Sequence, residues 1–208
     1  MKKMLSKTMM GRTAVKALLA TALLAGVIAG QVGPVSATAA KPTAAPIMRD
    51  NLSKYGLVKD VELPVTVEAG GLSYTLEKIM IYDAKSKDAQ ALIKKYGYTG
   101  TESAKYFIWT KITVENKSGN TVQQNYKDLS DKWGLSFGDE TSPFTTMPQV
   151  NYSKPNSTEA VWDWSLAPGK KLSTYQAYIY SGKFISFYLR VDNKGEREYL
   201  DIVNKRDE

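Results

Sequence analysis

The run Tyr106-Phe107-Ile108-Trp109-Thr110-Lys111-Ile112-Thr113-Val114-Glu115 is dense in β-branched and aromatic side chains and contains neither Gly nor Pro. Such side chains fit a pleated, half-buried surface. Successive side chains of a strand point to opposite faces. Ile108, Ile112 and Val114 therefore share one side, and Phe107, Trp109 and Thr113 the other. This is the strongest strand signal in the chain, and the pattern on either side of it is also β.

Downstream, Asn116-Lys117-Ser118-Gly119-Asn120 is a turn signal. A short strand is expected over Thr121–Tyr126, then another in which Trp133, Leu135 and Phe137 alternate. Residues Gly138–Thr158 are polar and interrupted by Pro, which predicts a long irregular loop. Ala160, Trp162, Trp164 and Leu166 alternate before Ala167-Pro168-Gly169-Lys170. There Pro presets φ and Gly tolerates a positive φ, as a type II turn requires. Strands over Leu172–Tyr180 and Phe184–Asp192, split by Ser181-Gly182, lead through Asn193-Lys194-Gly195 to a last strand, Glu196–Val203.

Upstream, Ala89, Leu92, Ile93 and Tyr96 recur at helical spacing, so one amphipathic helix is expected within Lys85–Tyr96, ended by Gly97. Leu72, Tyr74 and Leu76 alternate, and Ile79 and Ile81 then take the other parity. That slip places a bulge near Glu77-Lys78. Val61, Leu63, Val65 and Val67 alternate around Pro64, whose missing donor assigns this strand to a sheet edge. Seven to nine short strands separated by turns predict an all-β fold, an antiparallel β-sandwich with one short inserted helix.

The N-terminus carries a different signal. Lys2, Lys3, Lys7, Arg12 and Lys16 precede an apolar run from Ala17 to Gly30, followed by Val35-Ser36-Ala37 and Ala37-Thr38-Ala39. A cationic start, a short apolar core and small residues at the exit define a signal peptide. The apolar run is shorter than the ~20 residues a spanning helix needs. The expected organisation is a signal peptide over 1–37, a linker or N-terminal extension over 38–60 with room for a short helix within Ile47–Asp60, an immunoglobulin-like domain over 61–203 and a polar tail over 204–208. The formal charge of +7 comes from 28 basic and 21 acidic residues. Removing the five basic residues of the leader leaves 23 against 21, a balance of +2, so no nucleic-acid footprint is expected. The expected location is secreted or cell-wall associated, with no stable membrane insertion after cleavage.

Chemistry is constrained by what the chain lacks. There is no His and no Cys. A Ser-His-Asp triad, thiol catalysis and the usual zinc sites cannot be built. Glu115, Asp139, Glu140 and Asp163 are carboxylates of the right type for glycoside hydrolysis, but nothing in their neighbours sets two of them across a cleft. Asp128, Asp131, Asp139 and Glu140 flank one segment without EF-hand spacing. The expectation is no catalytic residue, no metal and no cofactor.

Three segments carry a family resemblance: Gly71-Leu72-Ser73-Tyr74-Thr75-Leu76, Phe107 to Asn116, and Leu166-Ala167-Pro168-Gly169-Lys170. Together they resemble the immunoglobulin-like extracellular domains of small secreted bacterial antigens and related proteins of unknown function. The resemblance spans about Leu63 to Val203. It implies an immunoglobulin-like sandwich, export and a non-enzymatic interaction or adhesion role, and it transfers no site residues. The helical segment 85–96 and the loop near 141–158 depart from the pattern.

The aromatic content, 4 Trp, 13 Tyr and 5 Phe, supplies the binding hypothesis. Trp109, Phe184 and Tyr188 each sit opposite a better core series in their own strand. With Arg190 at the rim, they are expected to form an exposed face for an unknown protein or a glycan of the cell envelope. Ordinary cross-strand packing is the competing account of the same rings. Trp162 and Trp164 are assigned to the core. The leader reading is checked by the intact mass of the natural product. The expected mass begins between Thr38 and Lys41, and one retaining Met1 to Gly30 would mean an uncleaved anchor instead.

Overall fold

The computed structural model describes residues 48–125, 127–128, 132–138, 145–151 and 154–204. The expected signal peptide 1–37, the segment 38–47, the acidic residues Asp131, Asp139 and Glu140, and the tail beyond Asn204 lie outside the described residues. In chain order the elements are a 3-10 turn (Leu52–Tyr55), β1 (Val65–Ala69), β2 (Leu72–Asp83), α1 (Lys87–Tyr96), β3 (Tyr98–Thr99) and β4 (Tyr106–Asn116). There follow β5 (Val122–Gln124), β6 (Trp133–Ser136), β7 (Gln149–Val150), β8 (Trp164–Leu166), β9 (Lys171–Tyr180), β10 (Phe187–Asn193) and β11 (Glu196–Val203). Among the described residues the fold is mostly β, with antiparallel sheets and one fully described α-helix, α1, while Lys127, Asp128 and Lys132 are also helical.

The strand quoted first, β4, is bonded on both edges. It lies between β2 and β9 in a four-stranded sheet of order β1-β2-β4-β9, every pair antiparallel. A three-stranded sheet has the order β11-β10-β6. Ile108, Ile112 and Val114 of β4 belong to one buried cluster with Trp133 and Leu135 of β6 and with Phe187, Leu189 and Val191 of β10. The two sheets thus bury their apolar faces in a common core. Tyr74 anchors it, with its ring stacked on Trp133 at 4.5 Å and its hydroxyl donating to Gln124 Oε1 at 2.8 Å.

Several expectations hold in detail. The register of β2 against β4 shifts between Leu76 and Lys78, at the expected bulge. β1 is an edge strand, and Pro64 stands just before it. At the other end of β1, Gly70 has φ +54, and a Cβ there would meet the Asn193 carbonyl oxygen. Its carbonyl accepts from Asn193 Nδ2 at 2.9 Å and its N–H donates to Glu196 Oε2 at 2.7 Å. Only glycine fits this contact, which fastens the β1–β2 hairpin to the β10–β11 turn.

Two expectations change. The strand read over Phe184–Asp192 begins at Phe187. The N–H groups of Ile185 and Ser186 both donate to the Phe137 carbonyl, at 2.8 and 3.2 Å. These residues leave the ladder, and strand parity does not extend to them. Phe184 consequently packs against the core, while Ile185 is 38% exposed.

The second point concerns residues 48–60, read as a linker or N-terminal extension with room for a short helix: the 3-10 turn is there, and the segment packs onto the core. Leu52 and Leu57 are each 1% exposed and belong to the main core. Asn51 imitates a strand partner for Ile81, donating to its carbonyl at 2.7 Å and accepting from its N–H at 2.9 Å. The Asp60 N–H donates to the Ile202 carbonyl at 2.8 Å. The absence of two-residue alternation before Val61 hid this packing, because a 3-10 turn buries isolated leucines without a strand's period. Leu52→Ala is therefore expected to cost about 2–5 kcal/mol in urea unfolding. An unchanged midpoint would detach the segment from the cooperative unit.

Candidate functional site

The second face of the four-stranded sheet carries its own buried cluster, in which Phe107, Trp109 and Ala177 meet Ala89, Leu92 and Ile93 of α1. The helix is well specified locally. Ser86 caps it by accepting from the Ala89 N–H, Asp88 lies in the first turn, and Lys94 and Lys95 lie in the last. Gly97, in the left-handed conformation, ends it by donating to Ile93 and Lys94 carbonyls. The helix thereby delivers Tyr96 onto Trp109, stacked at 5.3 Å, and Trp109 in turn stacks on Tyr175 at 5.5 Å.

Beyond this stack lies a cleft of about 190 Å³. Lys95 and Tyr96 from the end of α1, Tyr98 from β3, and Lys154, Glu159 and Trp162 from the segment before β8 line it. Two hydrogen bonds hold that segment to β9, and Ser157 orders it internally. The Val161 N–H donates to the Tyr175 carbonyl at 2.8 Å, and Thr174 Oγ1 donates to the Ser157 carbonyl at 2.6 Å. Ser157 Oγ accepts from the N–H groups of Glu159 and Ala160. The β3–β7 pair, Tyr98 with Val150 and Thr99 with Gln149, closes the other side.

Charge sits on the rim and rings on the walls. Lys95 Nζ approaches Glu159 Oε2 at 3.7 Å and stands 4.8 Å from the Tyr96 ring centroid. The Tyr96 side chain first, and then the Glu159 carboxylate, hold the Lys95 ammonium above the ordinary lysine range. Burial drives the Tyr98 phenol far above the ordinary tyrosine value, with a smaller push from Tyr96. Its hydroxyl is enclosed and has no hydrogen-bond partner among the described residues, so Tyr98 is a neutral wall of the cleft.

The four residues expected to form one exposed face are not brought together. Trp109 does point away from the main core, but it is 5% exposed because α1 roofs that side of β4. Strand parity distinguishes two faces and cannot tell which is wet when a helix covers the second. β10 belongs to the other sheet, so Phe184, Tyr188 and Arg190 do not share Trp109's surface. Phe184 packs among Tyr55, Tyr106 and Phe137, with ring centroids at 5.1, 4.8 and 5.2 Å. Tyr188 and Arg190 stay on the outer side of β10, Tyr188 beside the 52% exposed Tyr199 at 6.0 Å.

Trp164 is core as expected, and Trp162 packs against the main core but is only half-buried and also lines the cleft, since β8 starts only at Trp164. The aromatic pair flanking a helix-ending glycine, Tyr96-Gly97-Tyr98, was the available signal for the cleft. Lys154 and Glu159, in a stretch without period, gave none. Of the acidic loop, Asp128 is described, and it pairs with Lys132 at 3.5 Å and caps the Asn125 N–H at 3.1 Å.

The chain shows similarity to solved structures at low identity. The YjhA protein from Bacillus subtilis is 17% identical with a TM-score of 0.39, over 61% of this chain and 76% of that one. A putative lipoprotein, YcdA, from Bacillus subtilis is 10% identical with a TM-score of 0.44, over 68% of this chain and 39% of that one. A functionally unknown protein from Listeria monocytogenes EGD-e is 11% identical with a TM-score of 0.40, over 77% of this chain and 91% of that one. No family model matches the chain, and no curated relative does. Among the described residues, no helix is long and apolar enough to cross a membrane.

The buried stack gives a direct expectation. Trp109→Ala should cost about 3–5 kcal/mol, read as a fall in the denaturant midpoint, and clearly more than Tyr188→Ala on the outer side of β10. Equal, small effects of the two substitutions would put Trp109 back on an open face.

Proposed function

We propose that the chain is an exported, non-catalytic interaction module of the bacterial envelope, an immunoglobulin-like sandwich over about 61–203 with its N-terminal approach packed onto it. The module works at the cleft beside α1. The observation that carries this reading is the convergence there of half-buried rings, Tyr96 and Trp162, with the charged rim of Lys95, Lys154 and Glu159. Binding sites combine apolar and aromatic walls with a few placed polar groups. The leader supports export, and the aromatic cleft takes over the role first assigned to the open face of Trp109, Phe184, Tyr188 and Arg190.

The test is co-sedimentation of the purified mature protein with isolated envelope of the producing cell. Wild type should sediment, and Trp162→Ala should weaken binding by about tenfold, on the order of 1.4 kcal/mol, with an unchanged circular-dichroism spectrum. Full binding by a folded Trp162→Ala variant would remove the cleft from the function.

A further inference from the structure

Resting on the reading that the cleft binds, we propose that its ligand is a single saccharide ring bearing an acidic substituent, with the ring on the walls formed by Tyr96 and Trp162 and the acid facing Lys154. Size is the first argument. At about 190 Å³ the cleft lies below the ~300–1,000 Å³ of pockets for drug-sized ligands, so it has room for one ring and not for a peptide or an oligomer buried along its length. Wall chemistry is the second. Tyr96 is fixed from behind by its stack on Trp109, and Tyr98 by ring contacts to Phe107 and Trp109 at 5.9 and 6.3 Å. Rigid aromatic walls suit a ring with apolar C–H faces, because little freedom is lost when it settles against them.

The rim supplies the edge contacts. A pyranose edge is a row of hydroxyls that both donate and accept. The cleft offers a carboxylate acceptor in Glu159, an ammonium donor in Lys95, and the Ser157 hydroxyl, whose oxygen accepts from two backbone N–H groups and whose proton is left to donate. An aromatic or aliphatic ring without hydroxyls would strip water from these groups and return nothing. The charge balance adds the acidic substituent. Glu159 is matched by Lys95, whereas the exposed Lys154 ammonium has no ion-pair partner among the described residues and leaves the rim one positive charge in excess. A carboxylate placed there gains a charge-assisted hydrogen bond.

The experiment titrates the mature protein with glucuronate, glucose and benzoate, following Trp fluorescence and amide shifts at the cleft, alongside the envelope co-sedimentation. Glucuronate should bind about tenfold more tightly than glucose, and benzoate weakest. Lys154→Ala should bring glucuronate down to glucose, and Trp162→Phe should weaken both. Lys154 is exposed, so its variant folds irrespective of the tryptophan substitution. Three outcomes overturn the proposal: equal binding of glucuronate and glucose, benzoate binding most tightly, or no binding of any sugar at millimolar concentration. If no sugar binds while Trp162→Ala still weakens envelope capture, the cleft reading stands and the saccharide is wrong. If envelope capture is untouched by Trp162→Ala, the cleft reading itself falls.

Discussion

The pairing of β4 on both of its edges conditions everything around it. With β2 on one side and β9 on the other, its backbone groups are consumed within the sheet, and its side chains are left to find cover on two faces. Residues on one face are aliphatic and meet the three-stranded sheet. Residues on the other are aromatic and meet α1. A sheet with one solvated face needs polar residues on it. Here Phe107 and Trp109 occupy that face, which commits the chain to supplying a second layer. The inserted helix is that layer, and its C-terminal residues Lys95 and Tyr96 form part of the cleft wall.

Long-range fastening comes from a few polar contacts at the margins. Gly70 and Asn193 join the first hairpin to the last turn, and Asn51 and Asp60 tie the N-terminal approach to β2 and β11. Each satisfies backbone groups that a strand edge would otherwise leave to solvent. They also bring the two ends of the described chain onto the same body, so the fold is closed by contacts far apart in sequence.

Periodicity made the interior legible. The two-residue repeat of β4 and β9, the parity slip at Glu77, the helical spacing of Ala89, Leu92, Ile93 and Tyr96, and the Pro168-Gly169 turn are all local signals, and the chain follows them. What periodicity could not convey was layer order. Trp109's parity was right and its exposure wrong, because exposure depends on an element thirteen or more residues away. Phe184's expected exposure and Trp162's expected full burial failed for a different reason. Both stand just outside a strand, where alternation no longer applies. Leu52, Leu57, Lys154 and Glu159 sit in aperiodic segments, whose placement rests on single hydrogen bonds that composition does not record.

The four-stranded sheet also acts as a partition. Two clusters of buried side chains lie against its opposite faces, and they approach each other at the cleft, where Val161 and Trp162 of one stand with Tyr96 and Tyr98 of the other. Substitutions among Ala89, Leu92 and Tyr96 can therefore reshape the helix-side layer without repacking Tyr74, Trp133 or Leu189 behind it. The outer layer of such a protein is open to substitution while the inner one keeps its packing. Helix insertion then becomes a means of diversification that leaves the scaffold's own folding instructions in place.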